Sequence, residues 1–243
     1  FPLVVIWEER EFEREKPVYR KNGFLSLKKE FNMDKLILTM LEGSLVSIKI
    51  FFLTLLFSLP LGLPLAAARM SKNPLLRVPA KIFLLIVRGT PLILQLIFVY
   101  FAPYYIFKIS YDRFTAVIVA MSINYAAYFA EIYRGGIESI PKGQYEAGKV
   151  LGFTKMQTFF RIILPQVIKR ILPATGNEVI TLVKDTALAQ TIGVSELFRV
   201  AQNSASRLFS TTPIFLAGVF YFVMNWGVSF VFARIEKKLD YYK

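Results

Sequence analysis

An all-α membrane protein with five transmembrane helices is the fold class that this sequence predicts, on three observations. The first is composition: 55% of the 243 residues are hydrophobic, 23 are Phe, and the mean hydropathy is +0.47. That is too apolar for an ordinary soluble domain. The second is that five stretches each approach the 20 or so mostly apolar residues that a bilayer crossing demands. The third is a formal net charge of +13 gathered into alternate connections between those stretches, as the excess of Lys and Arg on cytoplasmic loops requires.

The first predicted span runs from Leu41 to Ala68, with Pro60 and Pro64 as expected kinks. The second, Ile82 to Phe107, is interrupted by "RGTP" at Arg88 to Pro91. The third covers Phe114 to Tyr133, the fourth Ile171 to Ile192, and the fifth Pro213 to Ala233. The connections after the first and third spans and the tail are rich in cations: Arg69, Lys72, Arg77 and Lys81; Arg134, Lys142, Lys149 and others; Arg234, Lys237 and Lys238. Those after the second and fourth carry only Lys108 with Arg113, and Arg199 with Arg207. The basic connections are therefore expected in the cytoplasm, with the amino end outside and the carboxyl end inside. Nucleic acid is not needed to explain the charge.

Residues 1–32 stand apart as a charged N-terminal extension, "WEEREFEREKPVYRKNG" being a dense charge run without a helical apolar face. A solvated tail is one expectation. The other is a mis-assigned start with Met33 as the true initiator, because "KKEFNM" can be encoded by a purine-rich ribosome-binding site followed by ATG. Residues 33–243 would then form a single transmembrane domain, with a long polar connection at about 134–172.

The chain contains neither Cys nor His, which excludes thiolate and imidazole catalysis, Cys/His zinc sites and disulfides. The carboxylates, Lys, Tyr and hydroxyls that remain are not arranged as a nucleophile with its base, so no catalytic residue, cofactor site or metal site is expected. One stretch imitates a nucleotide loop: in "PKGQYEAGKV", Gly143, Gly148 and Lys149 match G-x-x-x-x-G-K, but Val150 stands where a Mg²⁺-binding hydroxyl belongs. Glu146 would also place a carboxylate in a nest meant for anions.

The same stretch fits a different pattern. Glu146-Ala147-Gly148, three residues, Gly152, nine residues and Ile162-Ile163-Leu164-Pro165 match E-A-A-x₃-G-x₉-I-x-L-P except at Gly148. This resembles the "EAA" loop of bacterial ABC importer membrane subunits. Together with "RGTPLILQL", "AEIYRGGIESIPKGQYEAGKVLG" and "GNEVITLVKDTAL", it is similar to the polar amino-acid uptake permeases over nearly everything from Met33 onward. The resemblance implies a type I ABC importer transmembrane fold in the bacterial cytoplasmic membrane. It also implies a cytoplasmic coupling loop in which Glu146, Ala147, Gly148, Gly152, Ile162, Leu164 and Pro165 dock on a separate ATPase subunit, present in two copies, that binds ATP and Mg²⁺. Further partners it implies are a second permease copy or close paralogue and an extracytoplasmic amino-acid-binding protein. A secondary transporter would be expected to show internal repeats, and none is visible.

Ionisable groups at membrane depth are functional candidates. Asn124 and Glu131 lie seven residues apart on one face of the third span, as do Glu178 and Asp185 on the fourth. If these spans are neighbours, Asn124 is expected opposite Asp185 and Glu131 level with Glu178, a polar track for substrate. A structural reading competes, in which Glu131 pairs with Arg134. An acidic track favours cations, and "NEVI" at 177–180 resembles the form found in permeases for arginine, histidine and lysine. Basic amino acids are thus the expected cargo, with glutamine, glutamate or cystine as the alternative.

Overall fold

A computed structural model describes residues 33–110 and 112–239 of the chain. Within them the protein is all-helical, with no strand. Helix α1 spans Met33–Met70, α2 Pro74–Gly89, α3 Leu92–Phe107 and α4 Arg113–Glu138. Two short helices, α5 (Lys142–Val150) and α6 (Lys155–Thr158), lead through a π-helical turn at Phe159–Ile163 into α7 (Leu164–Asp185). A 3₁₀ segment, Thr186–Ile192, precedes α8 (Leu197–Leu208) and α9 (Thr212–Leu239). The charged extension and its proposed start at Met33 concern residues 1–32, which lie outside the described residues.

Among the described residues three helices, α1, α4 and α9, are each long and apolar enough to cross a membrane, and α2 with α3 qualifies only as a pair bent by 110°. The second predicted span is therefore not one helix. Pro91 offers no N–H to the ladder and drives Thr90 into extended backbone (φ −118°, ψ 145°), as the residue before proline prefers. The fourth predicted span also differs: α7 begins at Leu164 and ends at Asp185, and Lys169, Arg170, Glu178 and Lys184 keep it below the apolarity of the other three. Prolines 60 and 64, by contrast, do not end α1, which continues to Met70.

The burial of each helix follows from its side chains. In α4, 67% of the apolar window is buried, against 33% in α1 and 6% in α9, so α4 is the central helix and α9 the most peripheral of the three. Ala116, Val117, Met121, Tyr125 and Phe129 of α4 meet Ile50 of α1, Leu96 of α3 and Leu182 of α7 in the main core. On α1 the buried residues are mostly small or hydroxylated: Gly43, Ser44, Ser47, Thr54, Ser58, Gly62 and Ala66. Such residues permit close helix approach where water supplies no hydrophobic drive. Asp112 caps α4, its carboxylate accepting from the hydroxyl and the backbone N–H of Thr115, and these bonds hold it below the usual carboxylate range.

Candidate functional site

Two groups of residues carry the functional argument, and the first is the loop between α4 and α7. Helix α5 stops in a Schellman arrangement: Gly152 takes φ +75°, its N–H reaches Lys149 O at 3.0 Å, and Phe153 N–H reaches Gly148 O at 2.9 Å. A residue with a Cβ pays for that left-handed geometry, which is why Gly stands there. Helix α6 restarts at once through a capping box, Thr154 Oγ1 accepting from Gln157 N–H and Gln157 Oε1 accepting from Thr154 N–H. The two helices meet at Gly148, which is buried; an added Cβ would lie 2.7 Å from both Cγ2 and Oγ1 of Thr158. The departure from the three-residue signature at Gly148 thus answers the bulk of Thr158.

This element is fastened to the bundle. Ile140, Ile163 and Val167 form a small core of their own, backed by Ile137, Ile162 and Ile171. Gln166 Nε2 donates to Gln144 Oε1 at 3.0 Å, and Arg170 donates to the carbonyl and hydroxyl oxygens of Ser139. The buried anchor is Ile163, which the sequence pattern treats as a free position, whereas Ile162 and Leu164 are half-buried and Pro165 is exposed. Glu146, Ala147 and Gly152 are exposed, and beside them Val150 (87% exposed), Leu151 and Met156 present apolar side chains outward. Gly143 to Lys149 lie within α5, so their amides face along a helix and do not ring an anion.

The second group sits among α1 to α4 and α7. Asn124 is buried and donates to Gln95 Oε1 at 3.0 Å. Gln95 Nε2 in turn donates to Val87 O (2.7 Å), Thr90 O (3.1 Å) and Thr90 Oγ1 (2.9 Å), binding up the backbone freed by the α2–α3 break. Asp185 accepts from Tyr125 Oη at 2.7 Å, so its partner on α4 is the residue after the one expected. Glu131 is held by Arg134 (2.7 Å), with Arg69 and Arg88 each at 3.7 Å, and Arg88 also lies 5.3 Å from the ring centre of Tyr128. Among the described residues, no hydrogen bond or ion pair joins Asn124, Glu131, Glu178 and Asp185 to one another. Instead of a continuous track, Asn124 pairs with Gln95 of α3, Asp185 with Tyr125 of α4, and Glu131 with Arg134 of its own helix and the arginines of α1 and α2.

A further buried carboxylate was missed in the sequence. Glu196 is fully buried, caps α8 through the N–H groups of Phe198 and Arg199 at 2.7 Å each, and accepts from Tyr221 Oη on α9 at 2.9 Å. Its only local cue was a carboxylate just ahead of an amphipathic stretch.

Residues 58–241 match the family described as binding-protein-dependent transport system inner membrane component. The chain belongs to that family. As such a component it is a membrane protein, and the family description carries a binding protein as partner. Its relatives include a putative glutamine transport system permease protein of Rickettsia felis, 37% identical over 84% of this chain and 94% of that one. An L-cystine transport system permease protein of Bacillus subtilis is 40% identical over 82% of this chain and 86% of its own. Among solved structures, an amino acid ABC transporter with histidines superposes with a TM-score of 0.79 at 34% identity, covering 88% of this chain and 98% of that chain. An inward-facing methionine ABC transporter shares the fold, with a TM-score of 0.66. The family component thus has the all-helical architecture of a type I ABC importer.

Proposed function

We propose that the protein is the membrane-spanning permease subunit of an ATP-driven importer that receives polar amino acids from an extracytoplasmic binding protein. The observation that carries this reading is the α5–α6 element: two helices locked at a right-sized turn by Gly148, Thr158 and Gly152, with exposed apolar side chains beside Glu146 and Ala147. A rigid projection with an uncovered apolar face suits a mechanical coupling contact with a separate ATPase. ATP and Mg²⁺ then belong to that partner, in two copies, and this chain carries no catalytic residue. A second copy of the chain or a close paralogue completes the path, and five crossings by α1, the bent α2–α3 pair, α4, α7 and α9 set the amino end outside. Transport follows from alternating access, with ATP binding favouring one of two states of the pair.

For the cargo, Glu178 and Asp185 support basic amino acids: among the described residues Glu178 makes no hydrogen bond or ion pair, and the hydrogen-bond partner of Asp185 is a neutral phenol, Tyr125. The second reading, glutamine or cystine, is supported by the names of the Rickettsia felis and Bacillus subtilis relatives and by the three arginines that surround Glu131. The test is ATP hydrolysis by the permease reconstituted with its ATPase and binding protein, across a panel of twenty amino acids, beside Glu178→Gln and Asp185→Asn. Stimulation by arginine, lysine or histidine that either variant abolishes supports the basic reading. Stimulation by glutamine or cystine that survives in both variants supports the second. In the same assay Gly152→Val, which forces a β-branched residue to φ +75°, is expected to lose at least tenfold of the substrate-stimulated rate; full stimulation would remove the coupling role of the loop.

A further inference from the structure

The end of the bundle that carries the α5–α6 loop also holds a charged cavity of about 350 Å³, lined by Arg69 of α1, Lys81, Leu84, Leu85 and Arg88 of α2, and Glu131 of α4. Three cations face one carboxylate there, and that carboxylate is already taken. Arg134 binds Glu131 through Nη2 at 2.7 Å and Nε at 3.1 Å, whereas Arg69 and Arg88 stand off at 3.7 Å. Lys81 makes no hydrogen bond or ion pair among the described residues. The cavity therefore has unspent positive charge.

Its surroundings say what kind of anion fits. Residues Arg77, Lys81 and Arg88 fall at spacings of four and seven on α2, which places them on one helical face. Leu75, Ile82, Leu85 and Ile86, between 52% and 81% exposed, offer apolar surface on the same helix. Since α2 and α3 are bent by 110°, the two cannot both stand close to the membrane normal. A basic, amphipathic helix inclined to its neighbour at the end of a membrane bundle has the make-up of an interfacial helix. A free phosphate would use the cations and leave the apolar face unanswered, while a lipid answers both.

We propose that this cavity binds the phosphate of an anionic phospholipid headgroup, with the acyl chains against the apolar side of α2. Arg69 and Lys81 supply the attraction from two different helices, so an occupied site ties the end of α1 to α2 beside the loop. That the leaflet is the cytoplasmic one rests on the orientation proposed above; the binding itself does not.

The test uses the full-length chain in a neutral detergent, with native mass spectrometry recording retention of phosphatidylglycerol against phosphatidylcholine of the same acyl chains. The wild type is expected to prefer phosphatidylglycerol by at least tenfold. Each basic side chain near an anionic surface is worth about fivefold, so Arg69→Gln with Lys81→Gln is expected to weaken phosphatidylglycerol by roughly 20- to 30-fold and leave phosphatidylcholine unchanged. The charge-keeping pair Arg69→Lys with Lys81→Arg retains the preference. Should the doubly neutral variant fail to fold, Lys81→Gln alone, at an exposed position, is expected to lose about fivefold. Equal retention of the two lipids by the wild type, or no loss in the neutral variants, overturns the proposal. Displacement of phosphatidylglycerol by equimolar inorganic phosphate would overturn it too, and would assign the cations to a free anion.

Discussion

At Gly148 a single missing methyl decides whether two helices can touch. Alanine is the better helix former, by about 0.5–1 kcal/mol, but here its Cβ would lie 2.7 Å from two atoms of Thr158, itself buried. Overpacking of that kind costs about 1–3 kcal/mol, so the steric term wins. Gly148→Ala is expected to lower stability by roughly 1 kcal/mol, and the loss should shrink in a Thr158→Ala background, where only the 3.2 Å approach to the residue 158 Cβ is left. Thermal unfolding of the four proteins in detergent measures this, and additive effects would show that the contact is not limiting. Glu131 shows the same dependence on neighbours. Its partner Arg134 is visible in the sequence at a spacing of three, but Arg69 and Arg88 are more than forty residues away and arrive only through the packing of α1 and α2 on α4.

Helices here are shaped by where their backbone bonds end. The "RGTP" interruption is legible from Pro91 alone, yet nothing in the sequence says that Gln95, four residues on, turns back to collect the freed carbonyls of Val87 and Thr90. Nor does it say that Asn124 completes that cap from α4. Asn124, a candidate for the substrate path, is thereby occupied together with Gln95 in holding a bend of 110°. Gln95→Leu removes the donors and leaves the Asn124 amide facing an apolar side chain. A loss of about 1–3 kcal/mol is expected, the penalty for stranding a buried polar group. Retention of wild-type thermal stability would mean that water satisfies the break unaided. The α5–α6 loop behaves in the opposite way: its turn at Gly152, its cap from Thr154 and Gln157 and its small contact at Gly148 all join residues no more than ten apart in the chain.

On the scale of the molecule, topology is the open quantity that charge predicts most sharply. Because the chain has no cysteine, single replacements report sidedness without background. In intact bacteria a membrane-impermeant maleimide is expected to label Ser210→Cys, between α8 and α9, and to spare Ser71→Cys and Ser139→Cys until the membrane is opened. The reverse pattern would invert the orientation. The family, the membrane setting and the helical class were determined by the sequence itself, because composition, apolar run length and the Glu146 to Pro165 spacing are properties of the chain in one dimension. The partners of the buried polar groups were decided only in three dimensions. Asp185 meets Tyr125, Asn124 meets Gln95 and Glu196 meets Tyr221 because separate helices, neighbouring in the chain or not, pack side by side. A group removed from water takes whichever donor that packing brings within about 3 Å.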